Sequence, residues 1–365
     1  MAQAAAVVML ASACTAPAVP APSAASAHAG TAPAATTAPA RDVATNLQSP
    51  WSMATTPDGA VLVSERDTGL VKELTPAGGS RDVGRIDGVV HEGEGGLLGI
   101  AVRPPESGTP ALLYAFYTAA ADNRLVRMRL RGSPGSYALG PPETLLTGIA
   151  KGSVHNGGRI AFGPDGKLYV TTGEAGLRSP AQDLASLNGK ILRLDPDGTV
   201  PRDNPFPGSP VYSLGHRNPQ GIGWDTQGRM WASEFGQNRW DELNLIRPGG
   251  NYGWPEVEGI DTGQSRFINP VAQWPTSEAS PSGLAISGTT VFMAALRGQR
   301  LWVIQPSADG RTASVTARYT GTFGRLRDVR VARGGRLWLL TNNTDGRGTP
   351  RPGDDRIVEV PAAGG

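Results

Sequence analysis

The sequence predicts an all-β protein, a six-bladed β-propeller of four-stranded antiparallel blades. Three observations lead to this prediction: a segment that recurs along the chain, a content of 49 glycines and 31 prolines in 365 residues, and the lack of sustained helical periodicity. Many short strands joined by tight turns require glycine and proline. Repeats separated by roughly 40–60 residues are typical of propellers with one blade per copy, and their strand-rich pattern excludes a helical solenoid.

The recurring segment is clearest at 158–174, where alternating apolar residues flank the turn Pro164-Asp165-Gly166. This is the pattern of a β-hairpin, because glycine at the turn tolerates a positive φ. A second clear copy contains the turn Pro57-Asp58-Gly59. The copies together, one for each expected blade, lie at Trp51–Glu65, Gly96–Tyr117, Gly158–Glu174, Gln220–Glu234, Gly283–Arg297 and Arg327–Asn342.

The N-terminal part of the chain differs in composition from the rest. Ala4–Ala13 is an apolar run too short to span a bilayer, and it leads to Leu10-Ala-Ser-Ala-Cys14, which contains the single cysteine. This resembles a bacterial lipoprotein signal, in which small residues precede a cysteine that is lipidated after cleavage. Residues 15–41, rich in Ala, Pro and Thr, lack the apolar residues for a core and predict a disordered tether.

Three regions are therefore expected: a signal peptide with its lipidation motif at 1–14, the tether at 15–41 and the propeller domain at 42–365. We expect an exported lipoprotein of the cell envelope, either periplasmic or on the outer face of the membrane. Plain secretion is the alternative, and any membrane contact would come only through the lipid anchor. A single cysteine excludes an intramolecular disulfide, and a net charge of +2 with scattered basic residues argues against a nucleic-acid partner.

Six short motifs occur in order between about Thr45 and Val360. They are Glu94-Gly-Gly-Leu-Leu-Gly99, His155-Asn-Gly-Gly-Arg159, Gly215-His-Arg-Asn-Pro-Gln-Gly221, Asp241-Glu-Leu-Asn-Leu-Ile246, Gly249-Gly-Asn-Tyr-Gly-Trp-Pro255 and Arg325-Leu-Arg-Asp-Val329. With these motifs the chain resembles the soluble glucose and aldose sugar dehydrogenases that depend on pyrroloquinoline quinone (PQQ). The resemblance implies oxidation of an aldose at C1 to a lactone, with PQQ as hydride acceptor, Ca²⁺ assisting and an external electron acceptor. A monomer is the simplest expectation.

Oxidation at C1 requires a base for the hydroxyl proton, and histidine suits that role near neutral pH. The resemblance assigns the base to His155. Without the resemblance, a histidine beside glycines is no catalytic motif, and a structural turn residue is the favoured interpretation. Of the other histidines, His28 lies in the tether, His91 is expected in a solvated loop, and His216 is expected to be structural.

PQQ is a flat tricarboxylate, so its site requires cations. Arg325 and Arg327 alternate around Leu326, so on a strand both side chains would project to one face, which is costly unless an anion lies between them. A solvated sheet face is the ordinary alternative. Glu94 stands where several relatives have Gln, and a carboxylate near a tricarboxylate must either be protonated, through a shifted pKa, or turn away from the ligand. The cofactor-binding residues implied by the resemblance are Glu94, Arg217, Asn218, Leu296, Arg297, Arg325 and Arg327; Arg217 and Asn218 would also face the substrate oxygen.

The resemblance also implies two calcium positions. The main-chain carbonyls of Gly236 and Gln237 match the position of a calcium that bridges to PQQ. Glu242 and the carbonyl of Tyr252 match a second, structural position, and hard oxygen ligands suit calcium. The alternative for Glu242 is an ordinary pairing with a nearby arginine.

Differences from the family pattern bear on the substrate. Val154 precedes the base where glucose enzymes have Asp, which removes a possible orienting acid, and 256–267 lacks an aromatic residue that some aldose enzymes place near PQQ. The loops within 93–155 and 202–215 are short, so we expect an open cleft and a general aldose dehydrogenase. A non-catalytic propeller that binds carbohydrate or protein is the alternative, because fold alone does not decide function. A propeller lactonase is disfavoured, because the chain lacks an evident set of axial carboxylate and amide ligands.

Overall fold

The computed structural model describes Met1 and residues 39–106, 110–263 and 266–362. In these residues 25 β-strands form six antiparallel sheets around one axis, and the only helical turns are two short 3-10 segments, Ser179–Ala181 and Arg333–Gly335. The prediction of a six-bladed propeller is confirmed. The expectations for 1–14 and for all but the end of 15–41 fall outside the described residues. No helix in the described ranges is long and apolar enough to cross a bilayer.

The strands follow one another blade by blade, from the axis outwards. Blade 1 contains β2 (Pro50–Thr55), β3 (Val61–Glu65), β4 (Leu70–Leu74) and β5 (Ser80–Arg85). Blade 2 contains β6 (Leu97–Arg103), β7 (Leu112–Thr118), β8 (Asn123–Arg131) and β10 (Glu143–Ile149), with the short β9 (Ala138–Leu139) paired to β8. Blade 3 contains β11 (Gly157–Phe162), β12 (Leu168–Thr172), β13 (Lys190–Leu194) and β14 (Val211–Leu214).

Blade 4 contains β15 (Pro219–Trp224), β16 (Met230–Glu234), β17 (Trp240–Ile246) and β18 (Ala272–Pro275). Blade 5 contains β19 (Pro281–Ser287), β20 (Thr290–Ala295), β21 (Arg300–Pro306) and β22 (Ala313–Arg318). Blade 6 contains β23 (Leu326–Val331), β24 (Leu337–Thr341) and β25 (Ile357–Val360), and its outermost strand is β1 (Arg41–Ala44). The two ends of the propeller domain therefore meet in one sheet.

Each copy of the recurring segment forms the two inner strands of one blade, which explains why the repeat is strongest there. In blade 1 the turn between them closes where the Gly59 N–H donates to Thr56 O at 2.9 Å. Gly59 has a φ of +91°, a conformation that favours glycine. Closure of the ring is reinforced where Arg41 Nε lies 2.9 Å from Glu359 Oε1, across the β1–β25 pair.

The hydrophobic core lies between blades rather than within them. Among the described residues, buried apolar side chains form six clusters, one at each interface between neighbouring blades. Between blades 4 and 5, for example, Trp231, Trp274 and Trp302 pack together with aliphatic side chains. Both faces of each inner strand are thus largely covered by apolar side chains.

The innermost strand of every blade has a β-bulge near its start. A bulge changes the direction of the side chain it contains, and such bulges are frequent beside active sites. Trp51, Gln220 and Arg327 occupy bulged positions in blades 1, 4 and 6. All three line a cavity at the mouth where the inner strands begin.

A buried polar plug crosses the axis below this cavity. Arg159 Nη1 lies 3.1 Å from Asp328 Oδ2 and donates to Ser52 Oγ at 2.9 Å, and its Nε donates to the Gln220 carbonyl at 2.9 Å. Arg159 and Asp328 also line a second cavity of about 450 Å³ at the opposite mouth. The plug thus lies between the two mouths of the central channel.

Candidate active site

The cavity at the start of the inner strands has a volume of about 360 Å³ and is rich in cations. Five arginines line it among the described residues, together with one carboxylate and several apolar or neutral polar groups. The lining residues are Trp51, Arg66, Glu94, Gln220, Phe235, Ser280, Leu296, Arg297, Arg325, Arg327 and Arg347. So many guanidinium groups around one space favour an anionic ligand.

Arg325 and Arg327 both line the cavity, as the alternation around Leu326 predicted. The backbone that directs their side chains is not the regular strand that the prediction assumed. Arg325 precedes strand β23, and Arg327 occupies its bulge, so a regular strand does not set their directions. A protein anion lies beside both: Asp345 Oδ2 is 3.2 Å from Arg325 Nη2 and 4.0 Å from Arg327 Nη2. Asp345 therefore offsets part of the repulsion between the two cations.

Further contacts hold Arg327 in place while leaving the site short of negative charge. Its Nη2 and Nη1 donate to Asn342 Oδ1 and Gln220 Oε1, each at 2.8 Å. Burial, and then the charges of Arg66 and Arg325, lower the pKa of Arg327 against the opposing effect of Asp345. In the described part of the chain the buried Nε of Arg325 has no hydrogen-bond partner. An anion entering the cavity would raise the pKa of Arg327 and would give Arg325 Nε a hydrogen-bond acceptor.

Leu296 and Arg297 reach the same cavity from the end of β20. Leu296 is buried and contributes an apolar wall, whereas Arg297 is exposed. No hydrogen bond or ion pair joins Arg297 to another residue within the described ranges. Its guanidinium is the cation of the cavity most available to a ligand.

Glu94 lines the cavity with both carboxylate oxygens engaged by the protein. Its Oε1 accepts from Arg347 Nη1 at 2.7 Å, and its Oε2 accepts from the backbone N–H of His155 at 3.0 Å. Burial acts to raise the pKa of Glu94, but Arg347 and the His155 N–H outweigh it and hold the pKa below its usual range. The shift is towards the ionised form, the opposite of the protonation that was one of the two expected solutions, and both oxygens are bonded to the protein.

His155 lies beside the cavity, and its backbone has a φ of +57°. Its Nδ1 lies 2.5 Å from Oε1 of Glu174, whose Oε2 accepts from the Arg178 N–H at 2.7 Å. Glu174 is 2% exposed and the imidazole 17% exposed. Burial acts to raise the pKa of Glu174, but hydrogen bonds from His155 and Arg178 hold it below its ordinary value. An ionised Glu174 accepts a hydrogen bond from Nδ1–H of His155, which leaves Nε2 of the imidazole available as a base.

Val154 offers no orienting acid, as expected, but Glu174 supplies one. The acid comes from the other strand of the hairpin. Gly157 pairs with Thr172 in the register of β11 and β12, so residue 155 lies opposite residue 174. The sequence contained this signal, because Glu174 ends the recurring segment 158–174 and the hairpin turn sets the register.

Arg217 and Asn218 join the base loop to blade 4. The Oδ1 atom of Asn218 accepts from the Gly157 N–H at 3.0 Å, and the Arg217 carbonyl accepts from the Glu174 N–H at 2.9 Å. Arg217 directs Nη1 to the Gly236 carbonyl at 2.5 Å rather than into the arginine-lined cavity. Both residues thus hold the loops that carry the His155–Glu174 pair, a role that the resemblance did not assign to them.

The other two histidines of the propeller are engaged elsewhere. His216 is fully buried, with Nδ1 2.8 Å from Glu234 Oε2 and Nε2 2.8 Å from Ser213 Oγ. His91 is 39% exposed and lies 3.2 Å from Asp67. Neither lines the arginine-rich cavity.

A small acidic pocket of about 10 Å³ lies next to Arg217, lined in part by Glu234, Glu242, Glu258 and Tyr252. Glu242 faces Glu234 across the β16–β17 pair and accepts from the Gly259 N–H at 2.7 Å. Burial, and then the charge of Glu234, raise the pKa of Glu242. Glu242 has no arginine partner in the described ranges, so the simple surface pairing considered for it is wrong.

This pocket suits a cation by size and by its oxygen atoms. Among the described residues, no three His, Cys, Asp or Glu side chains are grouped as a metal site, so any metal here would also need carbonyl ligands. The buried Asn244 Oδ1 has no hydrogen-bond partner in the part of the chain described.

The adjoining loop 236–240 carries the other two carbonyls expected to bind calcium. Glu258 Oε1 accepts from the N–H groups of the four residues 237–240 at 2.7–3.2 Å, which fixes the loop. The Gly236 carbonyl accepts from Arg217, so a metal at this carbonyl would have to share it with a guanidinium. Gln237 is exposed, and its Oε1 accepts from Arg178 at 2.8 Å.

The profile of the glucose/sorbosone dehydrogenase family matches residues 47–349, which is most of the chain. The chain belongs to this family. The resemblance inferred from the six motifs is confirmed, and the protein is a member of a family of oxidoreductases.

Relatives of this dehydrogenase family support the assignment over most of the chain. The PQQ-bound aldose sugar dehydrogenase of Streptomyces coelicolor is 53% identical, with a TM-score of 0.83, and the match covers 87% of this chain and 96% of that one. Aldose sugar dehydrogenase YliI of Escherichia coli is 30% identical over 317 residues, 78% of this chain and 84% of the relative. Quinoprotein glucose dehydrogenase B of Acinetobacter calcoaceticus is 34% identical over 249 residues, and the match spans only about half, 52%, of that relative's length.

Several residues of the site were not found from the sequence. Arg66 and Arg347 come from loops without a recognisable motif, and they reach the cavity because the ring closes between blades 6 and 1. Asp345, on the same loop as Arg347, pairs with Arg325 of the cavity wall. Trp51 and Gln220 lie inside recurring segments, but their inward direction depends on bulges that residue types do not reveal.

Proposed function

We propose that this dehydrogenase oxidises an aldose at C1 to the lactone with PQQ as hydride acceptor, and that it passes the electrons to an external acceptor. The observation that carries the proposal is the juxtaposition of a carboxylate-oriented imidazole with an arginine-lined cavity. Glu94 links the two, because it lines the cavity and bonds the backbone of His155.

The residues of the cavity fit PQQ in charge and in size. A tricarboxylate requires several cations, and Arg297, Arg325 and Arg327 offer guanidinium groups. Within the part of the chain that the structure describes, Arg297 has no side-chain partner and the buried Nε of Arg325 has no hydrogen bond. Leu296 and Trp51 offer apolar walls for a flat ring system. When bound there, PQQ supplies the two-electron acceptor for the hydride that leaves C1.

The protein's own part in the reaction is to move and hold a proton. Nε2 of His155 accepts the proton of the C1 hydroxyl, and the ionised Glu174 keeps the proton on Nδ1 and stabilises the imidazolium that forms. Asn218 holds the adjacent Gly157 and so maintains the direction of the base. Removing a positioned base of this kind costs about 10²-fold or more in turnover.

We also propose that calcium binds beside Arg217. The Gly236 and Gln237 carbonyls would hold an ion next to the cofactor, and Glu242 with the Tyr252 carbonyl would hold a structural ion in the acidic pocket. Two facing carboxylates and the raised pKa of Glu242 support a cation at the second position. The substrate is proposed to be a range of aldoses, because the rim loops are short.

Export as a lipoprotein through Cys14, with the protein acting as a monomer, is likewise a proposal. The alternative of a non-catalytic binding propeller is weakened by the His155–Glu174 pair, since a scaffold has no need of a buried carboxylate oriented on a base.

The test is reconstitution of purified apo-protein with PQQ and Ca²⁺, followed by dye reduction with a panel of aldoses. We expect sugar-dependent reduction that requires both additions, and an Arg327→Ala variant that retains PQQ poorly. Arg318→Ala, a change on the outer strand β22, is the matched control and should behave as the unaltered protein. If PQQ does not bind at all, the enzyme proposal is refuted and the binding propeller replaces it.

A further inference from the structure

Arg347 lies on the long loop between β24 and β25, far in sequence from every motif of the site. Its Nη1 donates to Glu94 Oε1 at 2.7 Å, across the junction between blade 6 and the loop before β6. Both residues line the arginine-rich cavity. The side chain of Arg347 is 53% exposed and that of Glu94 is 21% exposed, so the pair forms part of the cavity rim.

The position of Glu94 is explained by its second oxygen. Oε2 accepts from the His155 N–H at 3.0 Å, and His155 adopts the left-handed conformation with a φ of +57°. A backbone N–H held by a carboxylate fixes the turn that presents the imidazole. Glu94 therefore fixes the backbone of His155, and this contact (the Glu94 tether) places an ionised carboxylate in the cavity wall.

That charge conflicts with an anionic ligand in the same cavity. A carboxylate facing another carboxylate is repelled unless a cation neutralises it. The buried cations of the wall already have protein anions beside them: Arg325 pairs with Asp345 at 3.2 Å, and Arg66 with Asp67 at 2.6 Å. Arg327 shares Asp345, at 4.0 Å. Among the described residues, Arg347 is the one cation in hydrogen-bond contact with Glu94.

We infer that Arg347 is a positioning residue that makes the Glu94 tether compatible with an anionic cofactor. It acts by neutralising Glu94 rather than by holding the cofactor itself. The inference rests on the proposed function, because it takes the ligand of the cavity to be PQQ. It predicts that the effect of losing Arg347 depends on the charge of Glu94.

The test is a double-mutant cycle on PQQ affinity, measured by titrating apo-protein at saturating Ca²⁺ and following the fluorescence of tryptophan, since Trp51 lines the cavity. We expect Arg347→Ala to raise Kd about tenfold or more, as for an unneutralised like charge. Glu94→Gln should bind PQQ at least as tightly as the unaltered protein. The double variant should recover to within about threefold of it, and Arg347→Lys should keep most of the affinity.

A matched control is available on the same loop. Arg351 donates to the Thr322 carbonyl at 2.6 Å and is absent from the cavity lining, so Arg351→Ala should leave the Kd for PQQ unchanged. A Kd for Arg347→Ala equal to that of the unaltered protein would overturn the inference. So would a double variant as weak as Arg347→Ala, because Arg347 would then act on the cofactor directly. If the unaltered protein does not bind PQQ, the proposed function fails first and this inference falls with it.

Discussion

Glu174 Oε1 lies 2.5 Å from His155 Nδ1, and the two residues face each other across the open end of the β11–β12 hairpin. The carboxylate is buried, its second oxygen is held by the Arg178 N–H, and the imidazole remains partly exposed. A hairpin register therefore decides which nitrogen of the imidazole is free for chemistry.

In the proposed mechanism, Glu174 positions the base and does not touch the substrate. We expect Glu174→Gln to lower kcat by about 10–10²-fold, because an amide does not stabilise the imidazolium, while the Kd for PQQ stays unchanged. Steady-state kinetics and a PQQ titration on the same preparation separate the two effects. Glu143→Gln, which removes an exposed pair with Arg127, is the control and should leave kcat unaltered. A variant with lowered PQQ affinity and normal kcat would show that Glu174 belongs to the cofactor site instead.

Acid should remove the contribution of Glu174 to stability. Its pKa in the folded protein lies below the ordinary value of 4.5, so its ionised form is favoured by folding. The resulting stabilisation is present above the pKa of the unfolded chain and is lost as pH falls through the lower, folded value. Urea unfolding should therefore give the unaltered protein a higher free energy of unfolding than Glu174→Gln at pH 7. At pH 4 and below, the difference between the two free energies should become smaller. A difference in the free energy of unfolding that grows in acid would contradict a lowered pKa of Glu174.

Lys190 stabilises the loop that follows Glu174. This fully buried lysine donates to the carbonyls of Pro180, Ala181 and Asn188 at 2.6, 3.0 and 2.8 Å. Lys190→Met should leave these carbonyls without a donor and lower the free energy of unfolding by about 2–4 kcal/mol. Urea denaturation measures the loss. Lys167→Met in the same blade breaks a partly exposed pair with Asp195 and should cost about 1 kcal/mol or less. Equal losses in both variants would exclude a special role for Lys190.

Removal of calcium should destabilise the protein through the acidic pocket. Ca²⁺ added to chelator-treated protein should raise Tm, by the equivalent of about 3 kcal/mol at 100-fold excess over Kd. Glu242→Gln should abolish most of that rise, whereas Glu278→Gln, at a 46% exposed side chain, should retain it. Thermal unfolding with and without calcium provides the comparison. A full calcium response in Glu242→Gln would move the metal away from this pocket.

The strands and turns of the fold could be predicted from local sequence patterns. Much of the candidate site could not. Hairpin turns such as Pro57-Asp58-Gly59 mark the inner strands because turn chemistry and strand alternation act over a few residues. The cavity instead depends on bulges at Trp51, Gln220 and Arg327 and on side chains from opposite ends of the chain. Glu94 and Arg347 are 253 residues apart, and only closure of the ring brings them to 2.7 Å.

In this protein, a residue that matches a motif does not always make the contacts that the motif implies. The resemblance predicted that His155, Arg325 and Arg327 share one site, and the structure brings them beside or into one cavity. Arg217 and Asn218 match their motif equally well. However, Arg217 donates to the Gly236 carbonyl, and Asn218 accepts from the Gly157 N–H. Hydrogen-bond direction depends on neighbouring loops, which short motifs do not specify.

The most direct test is a single turnover of PQQ-loaded protein mixed anaerobically with one equivalent of an aldose, followed by the absorbance of the cofactor. We predict that the unaltered protein reduces its PQQ, while His155→Ala binds PQQ with the same Kd and reduces it about 10²-fold or more slowly. Reduction at the normal rate in His155→Ala would contradict the account, because the base oriented by Glu174 would then have no part in the reaction.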